Sequence, residues 1–85
     1  MKGLNSAFGD ALREARQGAG LSQEKLAFEA GIHRTYVSQL ERGLKSPSLS
    51  TVYDLATALD LVPSDLIEST QERLPHRQPR VRRKS

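Results

Sequence analysis

The stretch AGIHRTYVSQLERG, residues 30–43, decides the fold of this 85-residue chain. In it a glycine is followed at once by an isoleucine, a histidine, an arginine and a threonine, and the apolar spacing of a short helix sets in behind them. Gly31 can take the left-handed conformation that other residues adopt only at a cost, so it ends one helix and lets the chain turn. Ile32 and Val37 stand on either side of His33 at the spacing of a hydrophobic staple, which makes His33 the cap of the next helix. Val37 and Leu40 then face inward on a helix that ends at Gly43. Its outward side carries Arg34, Thr35, Ser38 and, in part, Gln39 and His33. All of these are hydrogen-bonding residue types and none is acidic.

Upstream, Ser22 is a good N-cap, and Leu21 and Leu26 repeat the staple around it. Leu26, Ala27 and Ala30 then give the buried stripe of a helix that reaches Gly31. Phe8, Leu12, Ala15 and Ala19 recur at helical steps and predict a first helix over 6–18, closed by Gly18 and Gly20. Downstream, LKSPS reads as a loop, and Val52, Leu55, Ala56 and Leu59 predict a fourth helix over 49–59. Pro63 starts a short fifth over 63–68, carrying Leu66 and Ile67. After Ser69 the pattern stops. The expectation is an all-α, compact five-helix domain over 1–70, followed by a basic and disordered tail over 71–85. No internal repeat and no strand-like alternation is present.

Composition narrows the function. The chain has no cysteine, which removes disulfides and thiolate metal sites and fits a reducing compartment. His33 and His76 are too few and too far apart for a zinc site, and no cofactor or metal is expected. No apolar run is long enough to span a bilayer, and the opening MKGLNSAFGD lacks the apolar stretch of a secretory signal, so the reading is a soluble, cytoplasmic protein associated with the nucleoid. Glycine-rich phosphate loops, nucleophile elbows and metal-spaced clusters are missing, and a five-helix body offers little enclosed pocket. An enzyme is not expected, and no catalytic residue or small-molecule ligand is evident.

The net charge of +3 is unevenly spread. Residues 71–85 hold six Lys or Arg and one Glu, a balance of +5, whereas residues 1–70 hold seven bases against nine acids, a balance of −2. Any anion-binding surface on the body has therefore to be made by placement. The tail admits two readings: a phosphate-binding arm that steepens salt dependence, or a solvated end that aids solubility. His76 lies within it with no partner and reads as inert.

Two helices joined by a short glycine turn, with small Ala27 where they cross, let the second helix project. The major groove of B-DNA admits one such helix, with its N-terminal residues against base edges. Arginine pairs bidentately with guanine, glutamine with adenine, and a threonine methyl touches thymine. The free N–H groups and positive dipole end of the same turn suit phosphate.

At these residues the chain resembles the phage repressor and Cro-type helix-turn-helix family, also called the xenobiotic-response-element family, and especially its small stand-alone members such as restriction-modification controllers. The resemblance runs over 8–67, through LREAR (12–16), LSQEKLA (21–27), AGIHRTYVSQLERG and PSLSTVYDLATALDL (47–61). It implies a repressor-type DNA-binding domain whose helices 2 and 3 form the motif, acting as a sequence-specific regulator of transcription on double-stranded DNA. It further implies that His33, Arg34, Thr35, Ser38 and Gln39 meet the bases, that Gln23 contacts a phosphate and braces the recognition helix, and that Arg42, Lys45 and Ser46 hold the backbone past its end. Ser22 and Tyr36 join the phosphate set, although Ser22 has a capping role available, and Tyr36 and Tyr53 are equally suited to packing. Arg16 and Glu41 would form a structural ion pair. One departure is His33, where the family more usually has a small hydroxyl residue.

One recognition helix reads too few base pairs to stand out in a genome. The expectation is a homodimer on a palindromic operator, with Leu61, Val62, Leu66 and Ile67 at the dimer interface. The rival reading is an antitoxin or protein-interaction module whose helices bind a partner protein. RNA is a weaker candidate, because the A-form major groove excludes a helix.

Overall fold

Five helices follow one another in the computed structural model of the chain, which describes residues 3–75: α1 (Leu4–Gly18), α2 (Gln23–Ala30), α3 (Arg34–Glu41), α4 (Leu49–Ala58) and α5 (Pro63–Glu72). No strand occurs among the described residues. Several boundaries have a local cause. Ser22 accepts a hydrogen bond from the Lys25 N–H at 3.0 Å and Ser48 one from the Thr51 N–H at 3.1 Å, so both satisfy a first-turn donor. Gly31 stops α2 with φ +74° while the Ile32 N–H reaches back to the Ala27 carbonyl at 3.0 Å. Pro63 occupies the first turn of α5, where its missing N–H costs nothing.

The core is built from one stripe of each helix: Phe8 and Leu12, Leu26 and Ala27, Val37 and Leu40, Val52, Leu55, Ala56 and Leu59, and Leu66. Leu21 and Ile32, the outer halves of the two staples, pack partly buried against it. α1 lies against both α3 and α5, α2 against α3 and α4, and α4 against α5. α3 is thus supported from two sides, and its remaining surface faces outward.

Two ends differ from the sequence-based expectation. α1 starts at Leu4, two residues before Ser6, and α5 runs to Glu72 rather than stopping near Glu68, so it passes residue 70. Its last turn buries Thr70, whose hydroxyl donates to the Leu66 carbonyl at 2.8 Å, and Arg73 behind it pairs with Glu14 on α1. A threonine covers the buried position, so the apolar period ends before the helix does. Leu66 is also placed otherwise than expected: it is 1% exposed inside the protomer's own core and has no surface to give a dimer. The tail residues from His76 onward lie outside the described residues. Among those described, no helix is long and apolar enough to cross a membrane.

Candidate nucleic-acid interface

The leading end of α3 is formed by His33, Arg34 and Thr35, all exposed. His33 has the extended backbone of an N-cap (φ −76°, ψ 144°), but its side chain makes no capping hydrogen bond. The first-turn N–H groups of α3 are therefore left without a side-chain acceptor, the arrangement that suits an incoming anion. Among the described residues Arg34 and Thr35 have no side-chain hydrogen bond or ion pair either. Ser38 and Gln39, one turn on, are half-buried. Tyr36 packs partly buried against the core. Arg42, Lys45 and Ser46 are exposed beyond the far end of the helix, and Gly43, at φ +74°, turns the chain there.

The far end of α3 is fastened. Glu41 has its side chain fully out of solvent and receives Arg16 Nε at 2.6 Å and Nη2 at 3.0 Å, a two-pronged pairing between α1 and α3. Gln23 Nε2 donates to the same carboxylate at 3.0 Å, tying the first turn of α2 to the last of α3. Arg16 also donates to the Leu21 carbonyl at 2.9 Å, which joins the link before α2 to the same network. The Arg16 pKa is raised: its hydrogen bond to Glu41 is the largest cause, burial opposes it, and the Glu41 charge adds to the rise. Gln23, expected at a phosphate, thus has an internal role as well, while Ser22 uses its hydroxyl as a cap.

Sequence reasoning missed Arg13. Its Nη2 donates to the Glu41 backbone carbonyl at 3.0 Å and its Nε lies 3.6 Å from the Glu41 carboxylate. The signal available was its place three residues before Arg16, on the same face of α1. Placement of charge also follows a pattern. Residues 31–53 contain Arg34, Arg42 and Lys45 with one acid, the paired Glu41, whereas residues 54–72 contain Asp54, Asp60, Asp65, Glu68 and Glu72 without a Lys or Arg. All five of those acids are exposed, on α4, α5 and the link between them. Positive charge gathers at α3 although the body as a whole is acidic.

A helix-turn-helix family model matches residues 12–67, which include both ends of α3 and the side chains of α1 and α2 that hold it. The chain belongs to the helix-turn-helix family. It is a DNA-binding transcription regulator of the xenobiotic-response-element and Cro type. The control protein C.BamHI of Bacillus amyloliquefaciens is 44% identical over 64 residues, covering 74% of this chain and 79% of that one. The crystal structure of the restriction-modification controller C.AhdI from Aeromonas hydrophila superposes with a TM-score of 0.72 at 50% identity, covering 73% of this chain and 94% of that one. The clp gene regulator ClgR from Corynebacterium glutamicum reaches a TM-score of 0.84 at 27% identity over 91% of this chain and all of that one. The helix-turn-helix of this chain is α2, the turn at Gly31, and α3.

Proposed function

We propose that this helix-turn-helix protein regulates transcription by occupying a palindromic DNA operator as a homodimer, with the N-terminal turn of α3 in the major groove of each half-site. The observation that carries the reading is the contrast between the two ends of α3. The trailing end is bound by four hydrogen bonds from α1 and α2 side chains, and the leading end presents His33, Arg34 and Thr35 to solvent. A helix held at one end and bare at the other is built for insertion. In this reading Arg34 and Thr35 meet base edges, with His33, Ser38 and Gln39 beside them. Arg42, Lys45 and Ser46 meet phosphates, joined by the second amide proton of Gln23.

For the dimer, the exposed apolar residues of α4 and α5 supply the surface. Val62 is 57%, Ile67 51% and Tyr53 55% exposed, and Tyr53 and Ile67 border one shallow groove with Leu49 and Pro63. An apolar surface of this kind on so small a protein marks an interaction site. Leu61 is half-buried and packs against the core.

The test compares Arg34→Ala and Lys45→Ala on a duplex enriched from a random library by the wild-type protein and on a scrambled duplex. Arg34→Ala is expected to lose about 1–3 kcal/mol of discrimination between the two. Lys45→Ala is expected to weaken both about equally and to lower the salt slope by about one unit. An Arg34→Ala protein with undiminished discrimination overturns the assignment of α3 as the reading helix.

A further inference from the structure

One line along α1 has no part in the hydrophobic core and runs against the trailing end of α3. Ser6, Gly9, Arg13 and Arg16 are spaced three, four and three residues apart and so lie on a single helix face. At Gly9, deep in that face, a methyl group would stand 2.4 Å from the Leu40 carbonyl oxygen and 2.7 Å from that of Glu41. Both are backbone atoms, which cannot swing aside as a side chain can. At Gly43, just past the helix, a methyl would lie 3.0 Å from Ser6 Cα. Further along the same face Arg13 donates to the Glu41 carbonyl and Arg16 grips the Glu41 carboxylate. Two small residues set how near α3 comes, and two arginines hold its last turn once there.

We infer that this stripe sets the angle at which the recognition helix is presented to DNA, and that Gly9 and Arg13 are positioning residues for sequence discrimination, touching no DNA themselves. The inference rests on the reading of α3 as the base-contacting helix. Arg13 is well placed for the task. Its donation to a C-terminal carbonyl satisfies a group the helix itself leaves unpaired and puts positive charge at the negative end of the α3 dipole. A pivot at the trailing end moves the leading end furthest, so a small tilt there displaces Arg34 and Thr35 from base edges, while phosphate contacts by flexible side chains adapt.

The probes are the enriched duplex and its scrambled counterpart, each titrated at several salt concentrations. Arg13→Gln is expected to reduce the ratio of the two affinities about tenfold, the low end of what one misplaced base contact costs. The slope of log affinity against log salt is expected to stay at the wild-type value. Simple destabilisation lowers the folded fraction on both duplexes alike and leaves the ratio unmoved. Gly9→Ala is expected to reduce the ratio further. If that variant does not fold, as its contact with backbone allows, Arg13→Gln decides the matter alone. An unchanged ratio for Arg13→Gln overturns the inference, as does an equal loss on both duplexes with a slope smaller by about one unit, which makes Arg13 a phosphate contact. A wild type that enriches no sequence removes the reading of α3 itself, a failure distinct from either.

Discussion

At Glu41 a carboxylate with no solvent contact is surrounded by Arg16, Gln23 and Arg13, so its charge is compensated only by protein. Removing Arg16 takes away the two-pronged pairing and leaves the buried charge to Gln23 and the more distant Arg13. Arg16→Ala is accordingly expected to lower the unfolding free energy by about 3 kcal/mol, measured by urea denaturation. A loss under about 1 kcal/mol, the range of exposed pairs, contradicts a buried pair. The pH dependence has a definite sign. Because the Arg16 pKa is raised in the folded protein, its contribution is complete at every pH below the ordinary arginine value and fades only as pH climbs through the raised one. The pairing of Arg16 with Glu41 was legible from the family pattern. Arg13 was not, because its partner is a peptide carbonyl, and a backbone group leaves no residue type to recognise. Gly9 reads in isolation as a poor helix residue, and its reason is the backbone of another helix.

Among the elements, α2 and α3 were the most legible, since caps, staples and Gly31 all point to the same boundaries. The end of α4 was less so. There Asp60 takes the left-handed conformation, φ +60°, that glycine takes after α2, and an aspartate gives a weaker stop signal. α5 was the least legible. Leu66 and Ile67 are adjacent, so on a helix they point about 100° apart. The helix docks against α1 and α4, which takes Leu66 inward to 1% exposure and leaves Ile67 at 51%. Substitution separates the two roles. Leu66→Ala is expected to cost about 2–5 kcal/mol of fold stability as a core cavity. Ile67→Glu is expected to keep the helical content and, in sedimentation, shift a dimer to monomer. A dimer that persists through Ile67→Glu places the interface on another surface.

For the molecule as a whole, an acidic body that binds DNA is reconciled by where its charges lie. The exposed acids of α4, α5 and their link are grouped apart in sequence from Arg34, Arg42 and Lys45, and the acid of α3 itself, Glu41, is paired with Arg16. Such a distribution is expected to favour approach to phosphate by the α3 side and so to orient the protein before contact. The sequence showed the sum of charge and the need for placement. Placement itself depends on how helices dock, which no local pattern encodes.

Insertion of the leading turn of α3 into the major groove, once per protomer, is the proposal on which the others depend. It is tested most directly by methylation interference on the duplex the wild-type protein selects. Binding is expected to be blocked by methylation at guanine N7, a major-groove atom, in two symmetric clusters about 34 Å apart along the helix axis. Interference confined to adenine N3 in the minor groove, or absent from both grooves while the protein still binds, contradicts it.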